Sequence, residues 1–362
     1  MKAVKAVILC AGRGTRLRPL THTGAKHLIP VANRPILFHV IDDLVEAGVR
    51  SICVVVSEGP QYLRDALGSG DEWDVSIEYM IQHSPKGLAH AVQTVREFTG
   101  DDQFIVYLGD NVFEKGITRF VSDATGDDIE AGVLLSAVPD PQRFGIAQLD
   151  NTGRLTAVEE KPADPPTNLA LTGAYFFSPS IFDAIEKICP SARGELEITD
   201  AIQHLIAEGL SVGTYEVAGW WRDAGLPGEV LDVNRLLLEA LPVEDAVDPF
   251  DADCQIEGRV YFEDGAVVQD SLIRGPAIIG PDCVIKNAFI GPFTSVGEGS
   301  CLEGVELQNT IVMPRCRIEA VPVRIDSSVF GQEAHLSGNG SISSGGSQFV
   351  LGDHSQVCLS AP

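Results

Sequence analysis

No apolar stretch in these 362 residues approaches the roughly 20 that a membrane-spanning helix needs. The apolar opening Ala6-Val7-Ile8-Leu9-Cys10 breaks at Gly12 and Arg13. It is shorter than the roughly 7–15 residues of a secretory leader's apolar core, and it reads as a first buried strand. The eight cysteines contain no C-x-x-C pair, which excludes a zinc knuckle and a thioredoxin-type motif. Scattered singly, they read as reduced thiols of a cytoplasmic protein. No H-E-x-x-H run or close histidine pair occurs. Positive charge is scarce, with 26 Lys+Arg against 51 Asp+Glu and a net charge of −25. That balance argues against a nucleic-acid partner and against an anionic membrane surface. A composition 44% hydrophobic and 21% charged excludes wholesale disorder, and the length predicts two domains or three.

The scarce positive charge is unevenly placed. Lys2, Lys5, Arg13, Arg16, Arg18, Lys26 and Arg34 all precede the first acid, Asp42. Seven of the 26 basic residues and none of the 51 acids thus lie in the first 41 positions. In an acidic chain this uncompensated segment points to a compact polyanion as ligand, against the blander reading of a solvated basic face.

Around that segment the pattern is strand, loop, helix, strand. Residues 5–10 form a buried strand, followed by the Gly/Arg loop from Ala11 to Pro19. Asn33 stands as N-cap with Pro35 just inside a helix, whose apolar residues Ile36, Leu37, Val40, Ile41, Leu44 and Val45 recur at helical spacing until Gly48. Residues 51–56, 104–108 and 132–138 are further strands with little polar alternation, as expected where both sheet faces are covered. Ile198 to Leu210 and Glu229 to Leu241 read as helices. The expectation is an α/β, Rossmann-like domain with a mostly parallel sheet over residues 1–241.

Residues 242–258 read as an acidic linker, and from 259 helical periodicity is gone. Aliphatic residues recur at intervals of six: Ile273, Ile279, Ile285, then Ile290, Val296, Leu302, then Val312 and Ile318. A six-residue step is one side of a triangular β-helix coil, favoured here over a β-sandwich of short strands; residues 259–362 are the expected extent. Ser337 to Ser347, rich in Gly and Ser, is expected as a mobile loop or a loosely wound coil.

Gly12-Arg13-Gly14-Thr15-Arg16 falls where backbone N–H groups after a strand cradle phosphates. No Gly-Lys-Ser/Thr follows, so it is not a Walker loop, and Leu17 occupies the third glycine position of a dinucleotide fingerprint. Gly12 through Pro19, Ala25-Lys26, Gln82, Ser84 through Ala89, Leu108-Gly-Asp-Asn111, Glu160-Lys-Pro162, Thr172-Gly173, Arg193 through Asp200 and Trp221-Arg-Asp223 together carry a resemblance. The chain resembles the sugar-1-phosphate nucleotidyltransferases over essentially its whole length, nearest to the long-form glucose-1-phosphate thymidylyltransferase branch.

The resemblance implies a fold, a left-handed parallel β-helix after the catalytic domain, and a reaction. In that reaction a sugar-1-phosphate oxygen attacks the α-phosphorus of a nucleoside triphosphate and pyrophosphate leaves. It implies Arg16 and Lys26 on the β- and γ-phosphates and Lys161 on the sugar phosphate. Leu9, Ala11, Gly12, Gly14, Thr15, Gln82, Gly87 and Asp110 are implied around the nucleotide, Gln82 and Gly87 at the base. Gly145, Glu160, Thr172 and Gly173 match positions that bind sugar hydroxyls, and Arg193 serves either the substrate phosphate or a local acid. Asp110 and Asp223 are implied as carboxylate ligands of Mg2+, a hard ion that takes oxygen donors. Position 13 is Arg where relatives carry a small residue, and the threonine common after the second aspartate is absent.

The expected partners are therefore a triphosphate (dTTP favoured over UTP) and glucose-1-phosphate, with another sugar- or cyclitol-phosphate or GTP as the nearest alternative. A hexapeptide-repeat acyltransferase would need a catalytic histidine, for which only His335 and His354 stand in the C-terminal region. A silent scaffold would have lost charge at 16, 26, 110 or 223, and none is lost. The flat faces and open ends of a solenoid predict a homo-oligomer.

Overall fold

The computed structural model describes residues 4–57, 59, 61–241, 253–339 and 343–360. Most of the expected linker, residues 242–252, lies outside them. The chain divides into two compact units. The first comprises Met1–Arg13 with Leu37–Asp223, the second Gly14–Ile36 with Ala224–Pro362. The divisions therefore fall inside the Gly/Arg loop after Arg13, after Ile36 and after Asp223. No helix among the described residues is long and apolar enough to cross a membrane.

Among the described residues the first unit is built on a nine-stranded sheet. Strand β1 (Lys5–Cys10) lies between β2 (Ser51–Val56) and β4 (Phe104–Leu108), parallel to both, and β3 (Ser76–Ile81) extends the parallel side beyond β2. Val7, Ile8, Cys53, Val54, Ile105 and Val106 are fully buried, which is why these strands show no polar alternation. Strand β5 (Asn111–Phe113) follows β4 directly. Strand β6 is Ala131–Ala137, β7 Gly145–Leu149, β8 Leu155–Glu160 and β9 Leu169–Phe177. The long β9 runs antiparallel to β4, β6 and β7, so the sheet is mixed: parallel around β1 and antiparallel around β9. Its register against β6 slips between Leu171 and Tyr175, a bulge that re-aims Thr172 and Gly173.

Helix α1 (Ile36–Glu46) starts where its apolar spacing predicts, but Asn33 does not cap it. Pro30–Val31 and Arg34–Pro35 pair antiparallel, and Ala32 (φ 47°) with Asn33 (φ 61°) make the two-residue turn between them. Two consecutive left-handed residues fit the twist of a tight hairpin, and asparagine tolerates that conformation better than most side chains. The turn chemistry has overridden the capping signal. Helix α2 (Ile198–Ala207) lies in the first unit and α3 (Pro227–Ala240) in the second.

Beyond α3, three six-stranded parallel sheets wind as a left-handed parallel β-helix. Ile256, Ile273, Ile290, Leu307 and Ile325 stack on one side. Phe262, Ile279, Val296, Val312 and Phe330 stack on the second, and Val268, Ile285, Leu302, Ile318 and Leu336 on the third. Every aliphatic residue of the six-residue pattern is on one of these inward ladders. Each such side chain contributes about 1.5–3 kcal/mol on full burial, so the stack is its own core. Of the Ser337–Ser347 region, the described residues fall in strands His335–Asn339 and Ser343–Ser347, and residues 340–342 lie outside the described residues.

Candidate functional site

Strand β1 delivers Leu9 and Ala11 at its carboxyl end, and the Gly109 N–H donates to the Leu9 carbonyl at 3.1 Å. That bond holds the turn after β4, and with it Asp110, beside the end of β1. Strand β10 (Trp221–Asp223) pairs antiparallel with β5, Asp223 opposite Asn111. Two acids 113 positions apart in sequence are thus brought to neighbouring strand ends. Asn111 is locked between them. Its Nδ2 donates to Asp110 Oδ1 at 3.1 Å, and its Oδ1 accepts the Trp221 indole N–H at 2.6 Å. The Asn111 amide fills the place where a Gly173 Cβ would stand, 2.4 Å away, so only glycine fits at 173.

The Trp221 ring meets Phe144 edge-on at 5.3 Å, and the Phe144 carbonyl accepts the Lys161 N–H at 3.0 Å. Gly145 opens β7 opposite Glu160, the last residue of β8. A Cβ at Gly145 would stand 2.6 Å from Thr199 Cγ2 and 3.2 Å from Glu160 Oε2. Glu160 collects partners. Thr199 Oγ1 donates to it at 3.2 Å, Lys161 Nζ lies at 3.3 Å and Arg193 Nη1 at 3.2 Å. Arg193 also reaches Glu195 at 2.6 Å and Glu197 at 3.7 Å. Burial works against the Arg193 cation, but Glu197, Glu195 and Glu160 together raise its pKa. Burial, with Glu160 nearby, likewise raises the carboxyls of Glu197 and Asp200. The Thr172 hydroxyl donates to the Leu134 carbonyl inside the sheet and is 1% exposed, so its side chain is engaged in the scaffold.

Gln82 is nearly buried. Its Nε2 donates to the Gly87 carbonyl at 3.1 Å and lies 3.0 Å from His90 Nδ1. Burial, then the Lys86 cation, lowers the His90 pKa, so the ring is neutral at pH 7 and Nδ1 accepts. Both amide hydrogens of Gln82 are then used, and its carbonyl oxygen remains as an acceptor. Gly87 adopts φ 103° and ψ 176°, a region nearly closed to other residues. A Cβ there would lie 2.5 Å from the Leu196 carbonyl oxygen and 2.7 Å from its nitrogen. Gly87→Ala is therefore expected to destabilise the first unit by about 2–3 kcal/mol, measured as a lower urea midpoint at unchanged m-value. A midpoint equal to wild type would refute the close approach.

The remaining residues of the expected site, Gly14, Thr15, Arg16 and Lys26, belong to the second unit. Gly14 takes φ 60° ahead of the turn Thr15–Leu17. Its carbonyl accepts the Leu17 N–H at 3.0 Å and the Thr21 hydroxyl at 2.8 Å. A Cβ at Gly14 would stand 3.1 Å from Lys26 Cβ, so the Gly14 turn and the base of Lys26 are in contact. Arg16 is exposed. In the first unit, the packing described above joins Gln82, Gly87, Arg193, Glu160, Lys161, Gly145, Gly173, Asp110 and Asp223 into one continuous neighbourhood. Sequence reasoning had assigned no part in it to Asn111, Trp221, His90, Glu195, Glu197 or Thr199. Asn111, Trp221, Glu195, Glu197 and Thr199 sit inside the quoted motifs, which was the only signal for them.

The chain matches the Nucleotidyl transferase family over residues 5–240. It is 43% identical over 359 residues to a low-salt glycan biosynthesis nucleotidyltransferase of Haloferax volcanii, covering 98% of this chain and 100% of that one. It is 40% identical over 359 residues to a glucose-1-phosphate thymidylyltransferase of Streptomyces griseus, covering 99% and 100%. Among solved structures it is similar to one described as a glucose-1-phosphate thymidylyltransferase from Bacillus anthracis, with 36% identity and a TM-score of 0.62, covering 67% of this chain and 98% of that one.

Proposed function

Because this chain belongs to the nucleotidyl transferase family, an enzyme family whose relatives here act on sugar-1-phosphates, we propose that it joins dTTP, in preference to UTP, to glucose-1-phosphate. In the step, a phosphate oxygen of glucose-1-phosphate forms a bond to the α-phosphorus, the bond from that phosphorus to the bridging oxygen breaks, and pyrophosphate departs with the electron pair. The nucleophile is already an anion, so the site needs alignment and charge neutralisation more than a base.

The observation that carries this reading is the pairing of Asp223 with Asn111, which sets a second carboxylate beside Asp110. The donor set, two carboxylates at neighbouring strand ends, fits a hard divalent ion that takes oxygen ligands. Asp110 and Asp223 would hold magnesium, which neutralises triphosphate charge when bound.

Lys161 and Arg193 orient the sugar phosphate, and Glu160 accepts from sugar hydroxyls. Gly145 and Gly173 leave room for the ring, and Thr172 acts through its main chain. Arg16 and Lys26 hold the departing β- and γ-phosphates, with Leu9, Ala11, Gly12, Gly14 and Thr15 lining the triphosphate. The carbonyl acceptor of Gln82 suits the N3–H of thymine or uracil, and the close backbone at Gly87 suits an adjacent base oxygen. Guanine presents N1–H beside a 2-amino donor, a pattern this acceptor matches less well. The thymidylyltransferase relative supports dTTP over UTP.

The test is a matrix of dTTP, UTP and GTP against glucose-1-phosphate and other sugar- and cyclitol-phosphates, scored by pyrophosphate release. The highest kcat/KM is expected for dTTP with glucose-1-phosphate. A lead for GTP, or no release from any pair, would overturn the reading.

A further inference from the structure

The segment Gly14–Ile36, which carries Arg16 and Lys26, belongs to the same compact unit as Ala224–Pro362. Its attachments bracket the two cations. After Arg16, the Pro19 carbonyl oxygen occupies the space a Gly352 Cβ would need, 2.9 Å away, and the Thr23 hydroxyl donates to the Asp353 carboxylate. The other Asp353 oxygen accepts the Gln332 N–H at 2.8 Å, tying that carboxylate to the neighbouring coil.

After Lys26, the hairpin turn is fastened twice. Asn33 Nδ2 donates to the Val296 carbonyl at 2.8 Å, and the Ala32 N–H donates to Asn234 Oδ1 at 2.8 Å. Asn234, on α3, has no exposed surface. Its Oδ1 also accepts the Ser295 hydroxyl at 2.5 Å, and its Nδ2 donates to the Phe293 carbonyl at 3.2 Å. Phe293 holds φ 64°, unusual for a bulky side chain, with the Arg235 guanidinium 5.2 Å from its ring centre. One buried amide therefore joins the hairpin, α3 and a coil corner of the solenoid.

On the solenoid's second sheet the outward row Ile278, Ser295, Ile311, Val329 is buried to 5% exposure or less. On its third sheet the outward row includes Val267 at 41%. We propose that the β-helix is the bed that fixes the catalytic cations at 16 and 26, with Asn234 and Asn33 as positioning residues. This rests on the nucleotidyl-transfer reading given above. A loop free to wander costs phosphate alignment, and a bed of stacked coils supplies rigidity that a surface loop lacks.

Asn33→Gly tests it on the full chain, because glycine keeps the positive φ and removes only the bond to Val296. Asn234→Ala removes the whole knot; should it fail to fold, Asn33→Gly alone decides. In Asn33→Gly, hydrogen–deuterium exchange across residues 14–35 should quicken about tenfold with Tm unchanged. The KM for the triphosphate should rise about fivefold while the KM for the sugar phosphate stays put. Unchanged exchange, or faster exchange with both KM values at wild type, overturns the proposal. A purely structural role would lower Tm and leave the KM ratio alone. Absence of pyrophosphate release from the wild-type chain would instead defeat the reaction assignment, and the exchange measurement would still read the bed.

Discussion

Asp110→Asn is expected to lower pyrophosphate release at saturating substrates and magnesium by about 10³-fold, a loss of roughly 4 kcal/mol in transition-state stabilisation. The amide keeps the shape of the carboxylate and removes its charge. Its Oδ1 still accepts the hydrogen bond from Asn111 Nδ2, so the loss reads the missing charge. Asp223→Asn should act alike, and the double variant should lose little more than either single one, since both would serve one ion. Circular dichroism and Tm should match wild type in all three, because the Asn111–Trp221 bond and the β5–β10 pairing are untouched. Turnover within tenfold of wild type in either single variant would refute the ligand assignment. A fully additive double variant would refute the shared ion.

This pair also shows where the sequence was readable. A six-residue aliphatic step specifies which way each side chain of a solenoid points, so the ladders through Ile273, Ile279 and Ile285 were legible residue by residue. Uninterrupted apolar runs marked β1, β2 and β4 for the same local reason. The opposition of Asp223 to Asn111 is encoded by no local pattern. It comes from the register of a three-residue pairing across more than a hundred positions, and only the motifs singled the two acids out. Glu197 and Thr199 belong to the same class, since what they do depends on Arg193 and Glu160 arriving from other elements.

Asn33 failed in the opposite way. A local rule, the helix N-cap, gave a definite answer that a competing local rule, the tight hairpin, defeated. The consequence is functional as well as geometric. Released from capping, the Asn33 amide reaches Val296, and the segment with the scarcest charge in the chain, its cations, is bound to the most regular part of the fold.

Asp43 is a half-buried carboxyl on α1 for which the proposed reaction has no use. Burial pushes its pKa up to about 7 from 3.8; the Tyr107 hydroxyl, donating at 2.7 Å, opposes the rise, and Glu46 and Asp42 add to it. A Cβ at Gly116 would come within 2.8 Å of the same carboxyl. Unfolded, the group ionises near 3.8; folded, near 7. Between those values the folded state binds more protons, so the stability contributed by this group is complete below pH 3.8 and is lost as pH rises through 7. Three pH units at about 1.4 kcal/mol each make the full span about 4 kcal/mol.

Asp43→Asn removes the titration, and its Oδ1 still accepts from Tyr107. The chain's pI near 4.5 makes low pH unsuitable for the comparison, because net charge and solubility vanish together there. From pH 5.5 to 8.5, the stability of Asp43→Asn relative to wild type should therefore rise by about 2 kcal/mol, flattening above pH 8, in urea titrations at 25 °C. The extra amide hydrogens need acceptors and set the offset of that curve, at a cost of about 1–3 kcal/mol, without altering its slope. A difference independent of pH across that range would mean that Asp43 is already ionised at pH 5.5 in the folded protein, and that water or a cation reaches the carboxyl beneath β4.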